Sequence, residues 1–213
     1  MIKIEKTDVY GWEPAIRGMR NPLNSWAKSD SSASTIVRIS GDYVEDFLGP
    51  NDLDLMKRLI AAGSDHRKFM RMIVVWADII GPWYFWKEFS TYKIGTVANS
   101  CSTMHKIHSE EITMDDFSTD HLNECNRNIL TQIIRNLNLA RRAFIKGKDK
   151  EDWWQMIQLL PSSYNQKRTV MLNYEVLRNM YHARKNHKLD EWHTFCEWIE
   201  SLPYGELITG ESK

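Results

Sequence analysis

A chain of 213 residues is long enough to bury a full core, and with no long linker interrupting it a single domain over residues 1–213 is the expectation. Its 28 basic and 28 acidic residues cancel, which argues against general attraction to nucleic acid or an anionic membrane and leaves any anion to be held by local placement. The three cysteines are widely spaced with no Cys-x-x-Cys pair, which argues against a disulfide framework and a structural zinc site and points to the cytoplasm.

The opening residues MIKIEKTDVY mix acid and base and lack the apolar stretch of a signal peptide, so secretion is not expected. Ile2-Lys3-Ile4 alternates as a strand does. Trp12-Glu13-Pro14 then opens a helix through Ala15, Ile16 and Met19, and Asn21-Pro22 stops it. Residues 24–34 are rich in serine and read as a surface loop or a flap over a site. A strand is expected at residues 35–39. After Leu48-Gly49-Pro50, Asn51 is placed to cap a helix with Leu55, Met56, Leu59 and Ile60 on one face, ending at Gly63. Residues 71–79 read as a central buried strand, in which Asp78 is either a paired anchor at a site or the exposed strand tip. The most apolar run, residues 72–86, is broken by Asp78 and Gly81-Pro82 and is too short to cross a bilayer.

Gly81-Pro82 signals a helix start with proline at the first helical position, and four aromatic rings follow within the six residues 83–88. Trp83, Phe85, Trp86 and Phe89 are too crowded to face one side, so this helix is expected to be buried in a core or between subunits. Residues 95–104 then switch to small and polar groups. They suit either the lining of a polar ligand site or a Ser/Thr-rich edge strand with its turn.

His105-x-x-His108 with Glu110-Glu111 offers imidazole and carboxylate donors but no third ligand at a diagnostic spacing, so no metal is expected. From Thr119 a long amphipathic helix is predicted, with Leu122, Cys125, Ile129, Ile133, Leu137, Ala140 and Phe144 on its stripe. Trp153-Trp154 and Met156-Ile157 begin another helix that Leu160-Pro161 ends. Residues 166–172 form a strand, and Asn173 caps a helix that groups Val176, Leu177, Met180, Tyr181 and Arg184. Arg184 on an apolar face wants a fixed anion or carbonyl, or else its stem snorkels to the surface. Leu189, Trp192, Phe195, Cys196 and Ile199 mark the last helix, ended by Leu202-Pro203, and the tail after Tyr204 is expected to fray. The 9 Trp and 10 Met suggest large apolar contacts, subunit interfaces among them.

This order of signatures resembles the flavin-dependent thymidylate synthases. Those proteins carry a helix ending in Gly, a turn with His, a strand, a short helix, and an Arg-His-Arg-x-x-Ser signature continuing as Asn-Glu-x-Ser-x-Arg-Tyr. Gly63, Ser64-Asp65-His66, the strand at 71–79 and the helix from Pro82 fall in that order, and Thr91-Tyr92-Lys93 occupy the first three signature positions. The family's Leu-Pro, strand, Asn-x-Arg-x-x-Leu, further Arg and Gln-x-Glu helix are echoed by Leu160-Pro161, residues 166–172, Asn173-Tyr174-Glu175-Val176-Leu177, Arg184 and Asp190-Glu191-Trp192. The layout spans almost the whole chain, but the chemical residues differ. Thr96 stands for the signature Ser, Ala98-Asn99 for Asn-Glu, Cys101 for the second Ser and Thr103-Met104 for Arg-Tyr.

The resemblance implies an α/β (α+β) domain with a central sheet flanked by helices, assembled as a homotetramer that binds flavin and nucleotide between subunits. One expected function is therefore a flavoenzyme, a transferase of thymidylate synthase type acting on a nucleotide or related heterocycle. FAD would meet Lys93, Thr96, Asn99, Ser100, Ser102 and Arg184, and a nucleotide-like ligand would meet Asn173 and Glu175. Such chemistry needs no protein nucleophile, and the chain offers no convincing Ser/His/Asp or Cys/His arrangement. Glu175 stands where the family pattern has an Arg resembling a phosphate clamp, so methylation of deoxyuridine monophosphate (dUMP) is not expected. The other expected function is a non-enzymatic relative that uses the same fold as a ligand-binding or interaction module. Residues 95–103 separate the two, according to whether they face a cleft with Arg184 or pack as an edge strand against another subunit.

Overall fold

The computed structural model describes residues 1–32, 37–39 and 47–210. Five strands, β1 (Lys3–Tyr10), β2 (Val37–Ile39), β3 (Val74–Pro82), β4 (Val97–Ser100) and β5 (Asn165–Asn173), form one sheet in the order β2-β1-β3-β5-β4. β1 and β2 pair antiparallel with Asp8 opposite Arg38. Nine α-helices lie among the described residues: α1 (Trp12–Arg20), α2 (Pro50–Ala61), α3 (Trp83–Phe89), α4 (Thr103–Lys106), α5 (Glu124–Gly147), α6 (Lys150–Leu159), α7 (Tyr174–Arg184), α8 (Asp190–Glu200) and α9 (Glu206–Thr209). The mixed helix-and-sheet class implied by the resemblance holds. Most of residues 24–34 and the 35–39 strand fall on described positions, but residues 33–36 lie outside them.

The chain forms two compact units. The first comprises Met1–Lys3, Ile80–Ser90 and Ser100–Arg168, and the second Ile4–Ile79, Thr91–Asn99 and Thr169–Lys213.

In the second unit α1 follows Gly11, whose φ of +95° and close approach to the chain both require glycine, since a Cβ there would lie 2.1 Å from the Met72 carbonyl oxygen. The helix buries Trp12, Ala15, Ile16 and Met19. Gly49, not Asn51, caps α2, because Pro50 takes the first helical position where its missing N–H costs nothing. The strand expected from residue 71 starts later, since Lys68–Arg71 close a 3-10 turn that buries Phe69 and Met70. The strand also runs on through Pro82, which is extended and serves as the N-cap of α3 instead of its first turn. Asp78 is a paired, buried residue and not an exposed tip: it sits mid-strand, accepts the Thr169 hydroxyl at 2.6 Å and faces Lys6 Nζ at 3.8 Å. Asn173 caps α7 as its sequence position predicts, its side-chain oxygen accepting the Val176 amide at 3.0 Å. The tail departs from expectation. α9 buries Leu207 and Ile208, and the buried Arg178 donates to the Ile208 carbonyl at 2.7 Å, so apolar burial and side-chain-to-backbone bonding hold the chain to residue 210.

In the first unit α5 begins at Glu124 with Asn123 as cap, several residues beyond Thr119. The predicted stripe largely holds: Leu137 is buried and Leu122, Ile133, Ala140 and Phe144 pack against the same core, whereas Cys125 is exposed and Ile129 is 54% exposed. Asn138 is buried on the same helix, and its amide both donates to and accepts from the Ile112 backbone at 2.7 and 3.0 Å and so satisfies a buried loop. Leu130 and Leu137 pack there with Ile107, Ile112, Phe117, Met156 and Leu160. The aromatic helix α3 is likewise buried by its own chain. Phe85, Trp86 and Phe89 are at most 1% exposed, so these rings need no second subunit to cover them.

Candidate functional site

A cleft of about 480 Å³ in the first unit is lined by Trp83, Trp86, Lys87, Ser90, Gln166, Arg168 and the run Ser100-Cys101-Ser102-Thr103-Met104. Its back wall is α3, whose ring crowding fixes Trp86: Phe85 and Phe89 meet it edge-on with centroids 5.3 and 5.1 Å away, and its indole N–H donates to the Gln166 carbonyl at 2.9 Å. The Arg168 guanidinium lies over the same indole with Cζ 4.4 Å from the ring centroid. Its Nε donates to Gln166 Oε1 at 3.1 Å and Nη1 to Ser90 Oγ at 3.4 Å. Gln166 in turn donates to the Cys101 carbonyl at 2.8 Å and Thr103 Oγ1 at 3.3 Å, and the Cys101 amide donates to the Lys167 carbonyl at 2.9 Å. A chain of bonds thus ties the polar run to the arginine.

The charge in this cleft is one-sided. Among the described residues Arg168 and Lys87 line it and no Asp or Glu does, and neither cation has a carboxylate partner. Burial lowers the Arg168 pKa from its usual value, which is the mark of a partly desolvated cation without a counter-charge. An anion entering here would meet two uncompensated positive charges, five polar side chains and a fixed aromatic wall. Sequence reasoning missed Arg168 and Lys87. The only local signal was a lone arginine in a strand; the indole that makes it a site is on a distant stretch of chain.

The residues singled out from the sequence divide between the two units. Ser100 and Ser102 line the cleft, with Ser102 Oγ also accepting the His105 amide at 3.2 Å. Lys93, Thr96 and Asn99 belong to the second unit. Lys93 and Asn99 are exposed, and Thr96 Oγ1 is a buried polar atom with no hydrogen-bond partner. Residues 97–100 are an exposed strand at the sheet edge, so the edge-strand alternative describes β4 itself while the cleft takes in the residues that follow. Between them the Gly95 turn, with φ +74°, presses on α7: a Cβ there would be 2.9 Å from both Asn173 Nδ2 and Val176 Cγ2.

Arg184 is held between two rings, 4.8 Å from Trp192 and 5.5 Å from Tyr92, and its Nε donates to the Tyr92 hydroxyl at 2.9 Å. Neither alternative from the sequence, a fixed anion or a snorkelling stem, foresaw aromatic partners. Asn173 uses its side-chain oxygen as the α7 cap. Glu175 was expected to present an open carboxylate to a phosphate. The structure pairs it instead with Arg67, whose Nε donates to both carboxylate oxygens at 2.9 and 3.2 Å, so the charge is cancelled locally. No group of three His, Cys, Asp or Glu among the described residues is arranged to hold a metal, and no helix is long and apolar enough to cross a membrane.

No protein-family model and no curated protein matches the chain. Solved structures do, and the class they define is the fold of the flavin-dependent thymidylate synthases. The chain is similar to flavin-dependent thymidylate synthase ThyX from Helicobacter pylori complexed with FAD and dUMP, at TM-score 0.69 and 16% identity over 99% of this chain and 100% of that one. A second structure of ThyX from Helicobacter pylori with FAD and dUMP gives TM-score 0.68 and 17% identity over 97% and 96%. The UMP/dUMP methylase PolB from Streptomyces cacaoi, bound with 5-Br dUMP, gives 0.59 and 12% over 94% and 89%. At these identities the likeness establishes the fold.

Proposed function

We propose that this protein is a flavin-dependent thymidylate synthase-like nucleotide binder, whose cleft beside α3 takes the anionic end of a nucleotide or related heterocycle. The observation that carries the reading is the pair of cations, Lys87 and Arg168, without a counter-charge in a polar cleft. The fold neighbours carrying FAD and dUMP or 5-Br dUMP support the ligand class. A volume of about 480 Å³ sits in the lower half of the roughly 300–1,000 Å³ range of small-molecule sites, which suits a mononucleotide. Isothermal titration with a nucleoside monophosphate tests this. Removing both charges in the double variant Lys87→Gln, Arg168→Gln is expected to weaken binding at least 10-fold, since hydrogen bonds to charged groups contribute about 1.5–3 kcal/mol each. Equal affinity in the double variant would refute the assignment.

FAD belongs to the same reading. The orphaned hydroxyl of Thr96 and the exposed Lys93 and Asn99 fit the polar and anionic groups of such a cofactor, with Arg184 as a further cation in the same unit. When bound, a flavin supplies hydride and one-carbon chemistry, and these residues bind and orient it. Flavin titration of the purified protein checks it, and a homotetramer, the assembly this reading carries, is checked by light scattering. The reading of the fold as a non-enzymatic ligand-binding or interaction module has one observation in its favour: Arg184 is already engaged by Tyr92 and Trp192. Protein that binds the nucleotide but no flavin would favour that module.

A further inference from the structure

We infer that the exposed face of the Arg168 guanidinium is the stacking surface on which the cleft selects a planar heterocycle, an inference that rests on the nucleotide reading of the same cleft. A guanidinium is a flat, delocalised cation that stacks on aromatic rings and nucleobases with its faces while its edge donates hydrogen bonds. In this chain the two functions are separated by geometry. One face of Arg168 is against Trp86 at 4.4 Å. Two of its five N–H donors are spent on Gln166 and Ser90, both within its own wall. Arg168 lines the cleft and is half-buried, so the part of its guanidinium that Trp86 does not cover is what the cleft offers to a ligand.

The platform cannot easily turn. Trp86 is 1% exposed, locked by Phe85 and Phe89 and by its bond to the Gln166 carbonyl, and Gln166 is itself tied to Cys101 and Thr103. A guanidinium held over the indole and bonded to Gln166 and Ser90 in this way is pre-organised, so a planar ring can stack on it with little further ordering cost. Lys87, on its flexible stem, is left as the point charge for the phosphate. The expected ligand is therefore a mononucleotide with an aromatic base, in the order indole, guanidinium, base.

The test compares three probes on the intact wild-type chain by titration calorimetry: uridine 5′-monophosphate, its 5,6-dihydro derivative with the same phosphate and polar edge but a puckered ring, and ribose 5-phosphate with no base. We expect the planar nucleotide to bind at least 5-fold tighter than the dihydro compound and at least 10-fold tighter than ribose 5-phosphate. In Arg168→Lys, which keeps the charge and loses the plane, ribose 5-phosphate affinity should change less than 3-fold while the planar preference falls to within 2-fold. Equal binding of the planar and puckered nucleotides by the wild type overturns the platform while leaving the phosphate reading intact. A planar preference that survives in Arg168→Lys overturns it too. Absence of binding by all three probes removes the nucleotide reading and this inference together.

Discussion

Reversing the charge at Glu175 should unfold the second unit before it creates a phosphate site. The carboxylate is 7% exposed and receives Arg67 Nε at 2.9 and 3.2 Å, and Arg178 is near enough for its charge and theirs to interact. At a separation near 3 Å and an effective dielectric of 20 the attraction is roughly 5 kcal/mol, part of which desolvation consumes. Glu175→Arg removes that attraction and places a third guanidinium beside Arg67 and Arg178, so a loss of about 3–5 kcal/mol is expected, a large share of the roughly 5–15 kcal/mol that holds a domain folded. Glu175→Gln keeps an acceptor for Arg67 and should cost about 1–3 kcal/mol. Urea unfolding followed by tryptophan fluorescence gives both numbers. If Glu175→Arg has the midpoint of the wild type and binds a monophosphate more tightly, the side chain faces a ligand and the pairing argument fails.

The buried pair of Arg20 and Asp52 gives a pH dependence. Burial pushes the Asp52 pKa up, but bonds from Ser31, Ser29, Arg20 and the Asp30 amide outweigh it and hold the carboxyl below its ordinary value. A depressed folded pKa stabilises above the unfolded value and is lost as pH falls through the folded one, so the wild type should lose this stability below about pH 4. Asp52→Asn should be about 3–5 kcal/mol less stable at neutral pH and lack that part of the acid slope; an unchanged midpoint at pH 7 would refute it. The thiols differ as well. Cys101 and Cys125 are exposed, whereas burial first, with Glu200 and Glu197 adding to it, pushes the Cys196 thiol up to about 11. Native protein should react with a thiol reagent at two cysteines quickly and at the third only on unfolding; three equal rates would contradict the burial of α8.

What was legible in the sequence was local. Asn173 caps α7 because a short polar side chain at a strand-to-helix junction has one obvious use, and α1 runs from Trp12 to Arg20 as its start and stop residues dictate. What was not legible depends on partners far along the chain. Nothing around Asn138 announces that its amide satisfies the Ile112 backbone. Nothing around Leu207 and Ile208 announces that Arg178 waits for a carbonyl there. The candidate site is the extreme case. Ser100 and Ser102 were visible as a polar run, but their cleft gains its charge from Arg168 only because α3 places Trp86 beneath it, and both the ring and the cation look like ordinary core and strand residues in isolation.

The chain is expected to leave dUMP unmethylated, and the structure changes the reason. The sequence alone points to repulsion, a carboxylate at Glu175 where the resembled family has an arginine. With Arg67 on that carboxylate and Arg178 beside the pair, repulsion is absent and what has been lost is a donor. The stronger part of the argument is at residues 91–93, where Arg-His-Arg is replaced by Thr91-Tyr92-Lys93. One of the signature's three basic side chains remains as a cation, and the residue in the histidine position spends its hydroxyl on Arg184. Tyr92 therefore engages Arg184 instead of supplying the signature's histidine. Under the proposed function the phosphate is taken by Lys87 and Arg168, neither of which belongs to the signature positions of the resembled family. Incubation with dUMP, reduced flavin and a one-carbon donor, followed by mass spectrometry of the nucleotide, should return dUMP unchanged, and the same should hold after Tyr92→Phe frees Arg184 from its hydroxyl acceptor. Methylated product from the wild type would show that the departures at residues 91–93 do not disable the chemistry.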